Sequence, residues 1–279
     1  YSNFKFYCNS NVISTINSYK DVQKIINLSK DKYIIRAHIK VDTGMSRMGC
    51  NINEFEKILN KCNQTSCINI EGIYTHLANS DNNSIDYNQK QISLFHNVLY
   101  KTENIYNYKI HILNSGGLFN YSDQTFDIVR LGLSIYGISP LGRIDKNLKP
   151  VMEFKAPIVM IKNIVKGKMI GYGCSFTAKN NMRIAIVQCG YADGIPFHYS
   201  NKGFVFFKKN KIKIIGRVSM DLIAVSIGDV NCSEGDWVTI WGGQDEDSRL
   251  ENIASMHKEI PYTYITGITQ RVEREYILD

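Results

Sequence analysis

The stretch HIKVDTGMSRMG, residues 38–49, gathers residue types able to do chemistry. A β-rich run that ends in Asp42-Thr43-Gly44 sets polar side chains at the C-terminal end of a strand, where α/β barrels carry their active sites. Gly44 permits a tight turn and a close approach of backbone to ligand. Arg47 offers a planar fork for a carboxylate or a phosphate. Lys40, two residues before Asp42, is expected inside the barrel. The same letters also describe a loop with a surface arginine and a lysine that reaches along its stem to water. Residue types and spacing alone leave both readings open.

Such residues need elements to position them. The first half alternates strand-like and helix-like stretches. Residues 33–41 are β-rich, and 53–62 carry Phe55, Ile58 and Leu59 at helical spacing. A strand is expected at 70–77 and a helix at 87–100, with Ile92, Phe95 and Leu99 on one face. Short strands are expected at 110–113 and 128–129. This alternation predicts a parallel sheet with covering helices. After Gly137 the character changes. Residues 138–150 hold Pro140, Gly142 and Pro150 and read as a linker. Strands are expected at 157–164, 183–187, 203–207, 212–218, 223–227 and 237–241, with one clear helix at 250–256. The expected class is α/β: a partial (β/α) barrel over 1–140, followed by a mainly antiparallel β domain over 141–279. Only about four or five parallel strands are expected, where a closed α/β barrel takes eight. With a first residue that is not Met, this makes the chain read as a piece of a longer one.

Composition narrows the class. Apolar residues make up 44% of the 279, enough for a packed core. No run of 18 or more apolar residues occurs, so no membrane contact is expected within this segment. The net charge is +7, but Lys, Ile, Asn and Tyr are abundant together, as A/T-rich codons produce. The one dense run, Lys208, Lys209, Lys211 and Lys213, alternates with Ile212 and Ile214 and reads as the exposed face of a strand. No nucleic-acid motif accompanies the charge. The seven cysteines form no CxxC pair. Neither a disulfide framework nor a metal site is expected, and a cytoplasmic setting is.

Eight motifs then occur in order: KVDTGMSRMG at 40–49, THLANSD at 75–81, HILNS at 111–115, VRLGLSIYG at 129–137, GYGCSFTA at 171–178, GYADG at 190–194, GRVSMD at 216–221 and RVER at 271–274. Together they resemble the alanine racemase family across essentially the whole chain. The resemblance implies an isomerase that interconverts L- and D-alanine for peptidoglycan by two-base proton transfer, with pyridoxal 5'-phosphate as cofactor. It implies a homodimer whose active sites take residues from both subunits.

Roles follow by resemblance, position by position. Arg130 resembles the arginine facing the pyridine nitrogen; a guanidinium donates a hydrogen bond but does not protonate the ring. His111 resembles the residue orienting that arginine, and His76 the imidazole beneath the ring. Ser115 with the amides of Gly132 and Leu133 resembles the phosphate cradle. Tyr172 resembles the base for L-alanine, acting from the partner subunit. Arg47 resembles the clamp on the substrate carboxylate, helped by the backbone amide of Met220. Lys40 resembles a lysine that many members carbamylate. Asp81, Tyr191 and Asp221 resemble residues of the corridor to the site.

The chain departs from the pattern in places. No KAxAYGHG-like segment occurs, so the Schiff-base lysine of the family is absent and the chain alone is expected to be inactive. Gln270 and Phe176 stand where other members carry tyrosine. With the stretch at 118–130, they also resemble serine/alanine racemases of vancomycin-resistance clusters, whose racemase part follows a membrane domain. Two further alternatives are a non-catalytic pyridoxal-phosphate carrier, which lacks the β domain, and a fold-related decarboxylase, which places an acid where Arg130 stands.

Overall fold

The computed structural model describes residues 4–29, 33–82 and 85–277. It divides into two compact units, Tyr1–Gly132 and Leu133–Asp279.

The first unit runs α1(Phe4–Asn9), β1(Ser14–Ile16), α2(Tyr19–Ser29), β2(Ile35–Lys40), α3(Ile52–Asn63), β3(Ile68–Tyr74), α4(Ile85–Tyr100), β4(Lys109–His111) and α5(Ser115–Asn120). The strands form one parallel sheet in the order β1-β2-β3-β4. α3 buries Phe55, Ile58, Leu59 and Cys62, one stripe at helical spacing, and the Asn51 side chain caps its first turn through the Asn53 amide. Ile92, Phe95 and Leu99 of α4 are buried as their spacing requires.

The expectation of a strand at 128–129 is not met. The chain there makes only an isolated bridge, Asn114 to Arg130, because Arg130 turns inward to the site instead of pairing along a ladder. Four elements of this unit, α1, β1, α2 and α5, have no counterpart in the expectations. β1 is three residues long, too short to show alternation. α2 buries Val22 and Ile25 at helical spacing.

The sheet has two different faces. Ile16, Ala37, Ile39, Ile70, Ile73 and Ile110 are buried on one of them. On the other, register aligns Thr15 with His38, Lys40 with Tyr74, and Tyr74 with His111. That second face is a polar floor.

The second unit is a closed barrel of six antiparallel neighbours in the order β10-β11-β8-β5-β12-β9. Its strands are β5(Glu153–Ile164), β8(Met182–Val187), β9(Phe204–Phe207), β10(Asn210–Ile215), β11(Ile223–Ser226) and β12(Trp237–Gly242). A ribbon of β6(Met169–Ile170) and β7(Phe176–Thr177) projects between β5 and β8, and α6(Leu250–His257) and α7(Pro261–Gly267) follow the barrel. Closure leaves no raw sheet edge in the barrel. Lys211 and Lys213 lie on the outer face of β10 over buried Ile212 and Ile214, whereas Lys208 and Lys209 form the β9–β10 turn.

The proline- and glycine-containing stretch after Gly137 is pinned to its unit. Arg249 donates to the carbonyls of Gly137 and Leu148 and pairs with Glu251 at 2.7 Å, while Glu251 accepts from the Ser139 amide. Ile138 joins the barrel core.

Candidate active site

Strand β2 places Arg36, His38 and Lys40 on the polar floor by simple alternation. β3 brings Tyr74 to its C-terminal end and β4 brings His111. Side chains from three strand ends therefore converge where α/β sheets bind their ligands. Lys40, His76, His111, Arg130 and Arg47 line one cleft of about 330 Å³.

Arg130 is its hub. Nη2 donates to the carbonyls of Thr75 at 2.8 Å and Ile112 at 3.1 Å, and lies 3.0 Å from Nδ1 of His76; Nη1 meets Nδ1 of His111. The guanidinium sits 5.1 Å over the Tyr74 ring, which stacks on His111 at 4.6 Å. Four hydrogen bonds thus fix a half-buried cation. Its charge acts on its neighbours. Burial, then the Arg130 charge, pushes His76 down to about 4 and His111 down to about 3. Both imidazoles are neutral at pH 7.

Lys40 and Arg47 supply further positive charge. Lys40 is buried, its Nζ 5.9 Å from the Tyr74 ring centre. Burial and the nearby Arg47 draw its ammonium below the usual lysine range, against the pull of Asp42. Arg47 itself is exposed. It follows a tight turn in which Asp42 Oδ1 accepts from the Gly44 and Ser46 amides at 2.9 and 3.1 Å, with Gly44 at φ 141°. Only glycine adopts that conformation without strain.

A second spot forms where α5 begins. The Gly132 amide donates to Ser115 Oγ at 2.8 Å, and the Asn114 side chain caps Gly117. Leu133, the next residue, opens the second unit and is buried in its core. Asp81 is exposed, on the turn against which Gly116 packs without room for a Cβ.

The remaining expected residues lie in the second unit. Tyr172 is exposed on the turn between β6 and β7; that turn packs on Arg217, whose guanidinium lies where a Cβ on Gly173 would fall. Tyr191 and Met220 sit on two loops joined by main-chain bonds, Tyr191 N to Ser219 O and Ala192 N to Met220 O. Asp221 on the second loop pairs with Arg271 at 2.6 Å, and Arg271 also reaches Asp193 at 3.4 Å. The expected residues thus fall into two groups: Lys40, Arg47, His76, Asp81, His111, Ser115, Arg130 and Gly132 in the first unit, and Leu133, Tyr172, Tyr191, Met220 and Asp221 in the second.

Three side chains of the first site escape motif reading: Tyr74, His38 and Gln91. Gln91 on α4 accepts from the Ala78 amide and donates to His76 O and Thr43 Oγ1, so it props the loop bearing His76. The two-residue period of polar residues in β2 is the signal that could have found His38.

Comparison with known proteins decides the family. The model described as alanine racemase, N-terminal domain, matches residues 2–140, and that of the C-terminal domain matches 151–276. An alanine racemase of Vesicomyosocius okutanii is 37% identical over 252 residues, 90% of this chain and 70% of that protein. The chain belongs to the alanine racemase family. Among solved members, alanine racemase of Bartonella henselae, a structure with covalently bound pyridoxal phosphate, superposes with a TM-score of 0.89 at 34% identity, over 99% of this chain and 76% of that one. The E. faecalis alanine racemase superposes at 0.91 with 26% identity, over 99% and 76%. These neighbours share the α/β fold with its antiparallel second domain. The chain spans about two thirds of the length of curated relatives: 64% of the Rickettsia bellii alanine racemase and 65% of one from Coxiella burnetii. Among the described residues, no helix is long and apolar enough to cross a membrane.

Proposed function

We propose that the chain supplies most of a pyridoxal-phosphate-dependent racemase that interconverts L- and D-alanine. The observation that carries this reading is the Arg130 hub: a half-buried, fixed guanidinium between two neutral histidines, in a cleft that also holds Lys40 and Arg47.

The residues present fit the cofactor. A guanidinium suits an aromatic nitrogen, since it donates without giving up its proton. Ser115 Oγ and the Gly132 amide, held together, suit a phosphate, with Leu133 adding its amide. Two more cations remain for a substrate carboxylate. When bound, pyridoxal phosphate serves as the electron sink that acidifies the α-hydrogen of an amino acid.

The chain's own residues then divide the work. Arg130, kept in place by His111 and His76, would donate to the ring nitrogen of a bound cofactor without giving up its proton, and so would limit the sink. Arg47 binds the carboxylate, and the Met220 amide adds a donor. Lys40, whose ammonium gives up its proton more readily than an ordinary lysine's, can add through its deprotonated amine to carbon dioxide; the new N–C bond gives a carbamate and releases one proton, and the anion steadies Arg47. Tyr172 takes the α-proton on the L face, reaching the site of a second copy in a homodimer. Asp81, Tyr191 and Asp221 border the approach. Seven cysteines, all unbridged, accord with a cytoplasmic setting.

The test is circular dichroism of L-alanine with the gene's complete product and pyridoxal phosphate. Loss of optical activity as D-alanine forms is expected, and intact L-alanine overturns the reading. Serine offered in parallel separates an alanine enzyme from a serine/alanine one, the alternative that Gln270 and Phe176 keep in view. The 279 residues alone, without a KAxAYGHG-like segment, are expected to give no turnover above free cofactor.

A further inference from the structure

Behind His111, on the side away from Arg130, lies His38. Its Nδ1 is 2.8 Å from Nε2 of His111. The two rings are tilted, with centroids 5.0 Å apart. Nothing in the motif roles uses this contact, yet the sheet is shaped around it. The β2–β3 register slips between Ala37 and His38, so that Glu71 bulges out and His38 faces Gly72. A Cβ on Gly72 would lie 2.6 Å from the Lys109 carbonyl oxygen of β4 and 2.8 Å from Cε1 and Nε2 of His38. The bulge and the glycine together make the seat for one imidazole.

The direction of each proton follows by elimination. A guanidinium has donors and no acceptor, so Nδ1 of His111 must accept from Arg130. A neutral imidazole carries one N–H, so the hydrogen of His111 is on Nε2 and is donated to His38. Nδ1 of His38 accepts, and its own hydrogen is on Nε2. The reverse arrangement, with His38 donating, would put N–H on Nδ1 of His111 against the Arg130 donor. The charged groups around the pair do not disturb this order. Arg36 and Glu71 bind each other, Asp127 accepts from the Ile110 amide, and the Tyr74 ring lies flat on His111. Burial holds both histidines below their usual range, so both are neutral at pH 7.

We propose that His38 is a positioning residue for Arg130, acting through His111: by accepting the Nε2–H of His111 it commits the opposite lone pair to the guanidinium. The proposal rests on the reading of Arg130 as the group that faces the cofactor ring. Without His38, the Nε2–H of His111 is buried and unpaired, and the ring turns or admits water. Arg130 then loses one of the contacts that aim it.

The experiment is side-chain ¹⁵N–¹H NMR of the full protein labelled in its histidines, with and without pyridoxal phosphate. In the wild type, His111 should show a single N–H, on Nε2, slow to exchange with water. His38→Leu should speed that exchange by roughly tenfold or more, the scale of one lost buried hydrogen bond. His38→Asn places an amide oxygen where Nδ1 stood and should restore slow exchange. A proton on Nδ1 of His111, a doubly protonated His111, unchanged exchange in His38→Leu, or an Asn variant no better than Leu overturns the proposal. If His38→Leu does not fold, His38→Asn decides by the same signal, read against the wild type. The spectra without cofactor read the relay even if alanine is not turned over. An intact relay in an inactive protein therefore counts against the racemase reading alone.

Discussion

Arg130 Nη2 lies 3.0 Å from Nδ1 of His76, and because a guanidinium only donates, that nitrogen of His76 accepts. The imidazole is thereby fixed as the Nε2–H tautomer, with its remaining hydrogen directed away from the hub. Two histidines and two carbonyls surround one cation, and the arrangement tolerates no second donor in its place.

Arg130→Glu should therefore change the chemistry rather than only weaken it. A carboxyl group there can share a proton with the ring nitrogen, which strengthens the electron sink. Racemisation is expected to fall on the order of 10²-fold, the scale seen when one preorganised donor is removed. Pyruvate, the product of transamination, should rise. Chiral chromatography of alanine alongside a pyruvate assay checks both. A folded, cofactor-binding Arg130→Glu enzyme with wild-type racemisation and no added pyruvate would show that Arg130 does not face the ring.

Tyr172→Phe should act on one face only. Wash-in of deuterium at the α-carbon of L-alanine is expected to drop by about 10²–10⁴, the range for loss of a general base. Wash-in for D-alanine, which uses a different base, should survive better. Mass spectrometry of each enantiomer in deuterated buffer makes the comparison, and equal losses count against the assignment.

The two lowered histidines predict acid sensitivity. Unfolded, each titrates near 6.5; folded, His76 holds off protonation to about 4 and His111 to about 3. Between those values the unfolded chain binds more protons, so stability rises with pH there and is lost as pH falls. The loss begins near pH 6.5 and reaches at most about 2 kcal/mol per histidine at pH 5. Urea unfolding at pH 7 and pH 5 should show it, and His111→Gln should flatten the slope. A slope of opposite sign, with stability gained on acidification, is incompatible with neutral buried rings.

Arg249→Leu should be among the most damaging changes in the second unit. Arg249 and Glu251 are 5% and 1% exposed, so removing the arginine strands a buried carboxylate. The expected loss is roughly 3–5 kcal/mol, and replacing both partners by apolar residues should recover much of it. Thermal unfolding of the single and double variants measures this. A single variant within about 0.5 kcal/mol of wild type would mean the pair is solvated.

Local pattern reached some of this structure and not the rest. α3 was legible because Phe55, Ile58 and Leu59 repeat at helical spacing over an asparagine cap. The Asp42–Gly44 turn was legible because glycine and aspartate have few other reasons to stand together there. β1 was not, since three residues carry no period. Nor was barrel closure in the second unit, because which strand completes a ring depends on long-range register. The stretch at 138–150 has the composition of a linker, but its anchor, Arg249, is a hundred residues away in sequence. His38 was hidden differently. The two-residue period of β2 puts it on the polar floor, but only the bulge opposite, with Gly72, reveals that it has a seat.

Gln91 also governs how the cleft can move. One amide group on α4 holds Ala78, His76 and Thr43 at once, so the ends of two strands are yoked to a helix on the outside of the sheet. Those loops cannot loosen singly. Their amide hydrogens should exchange with water only when α4 lifts, as one cooperative unit, rather than by piecemeal fraying. The rigidity of the cleft is then set by how tightly a distant helix stays seated.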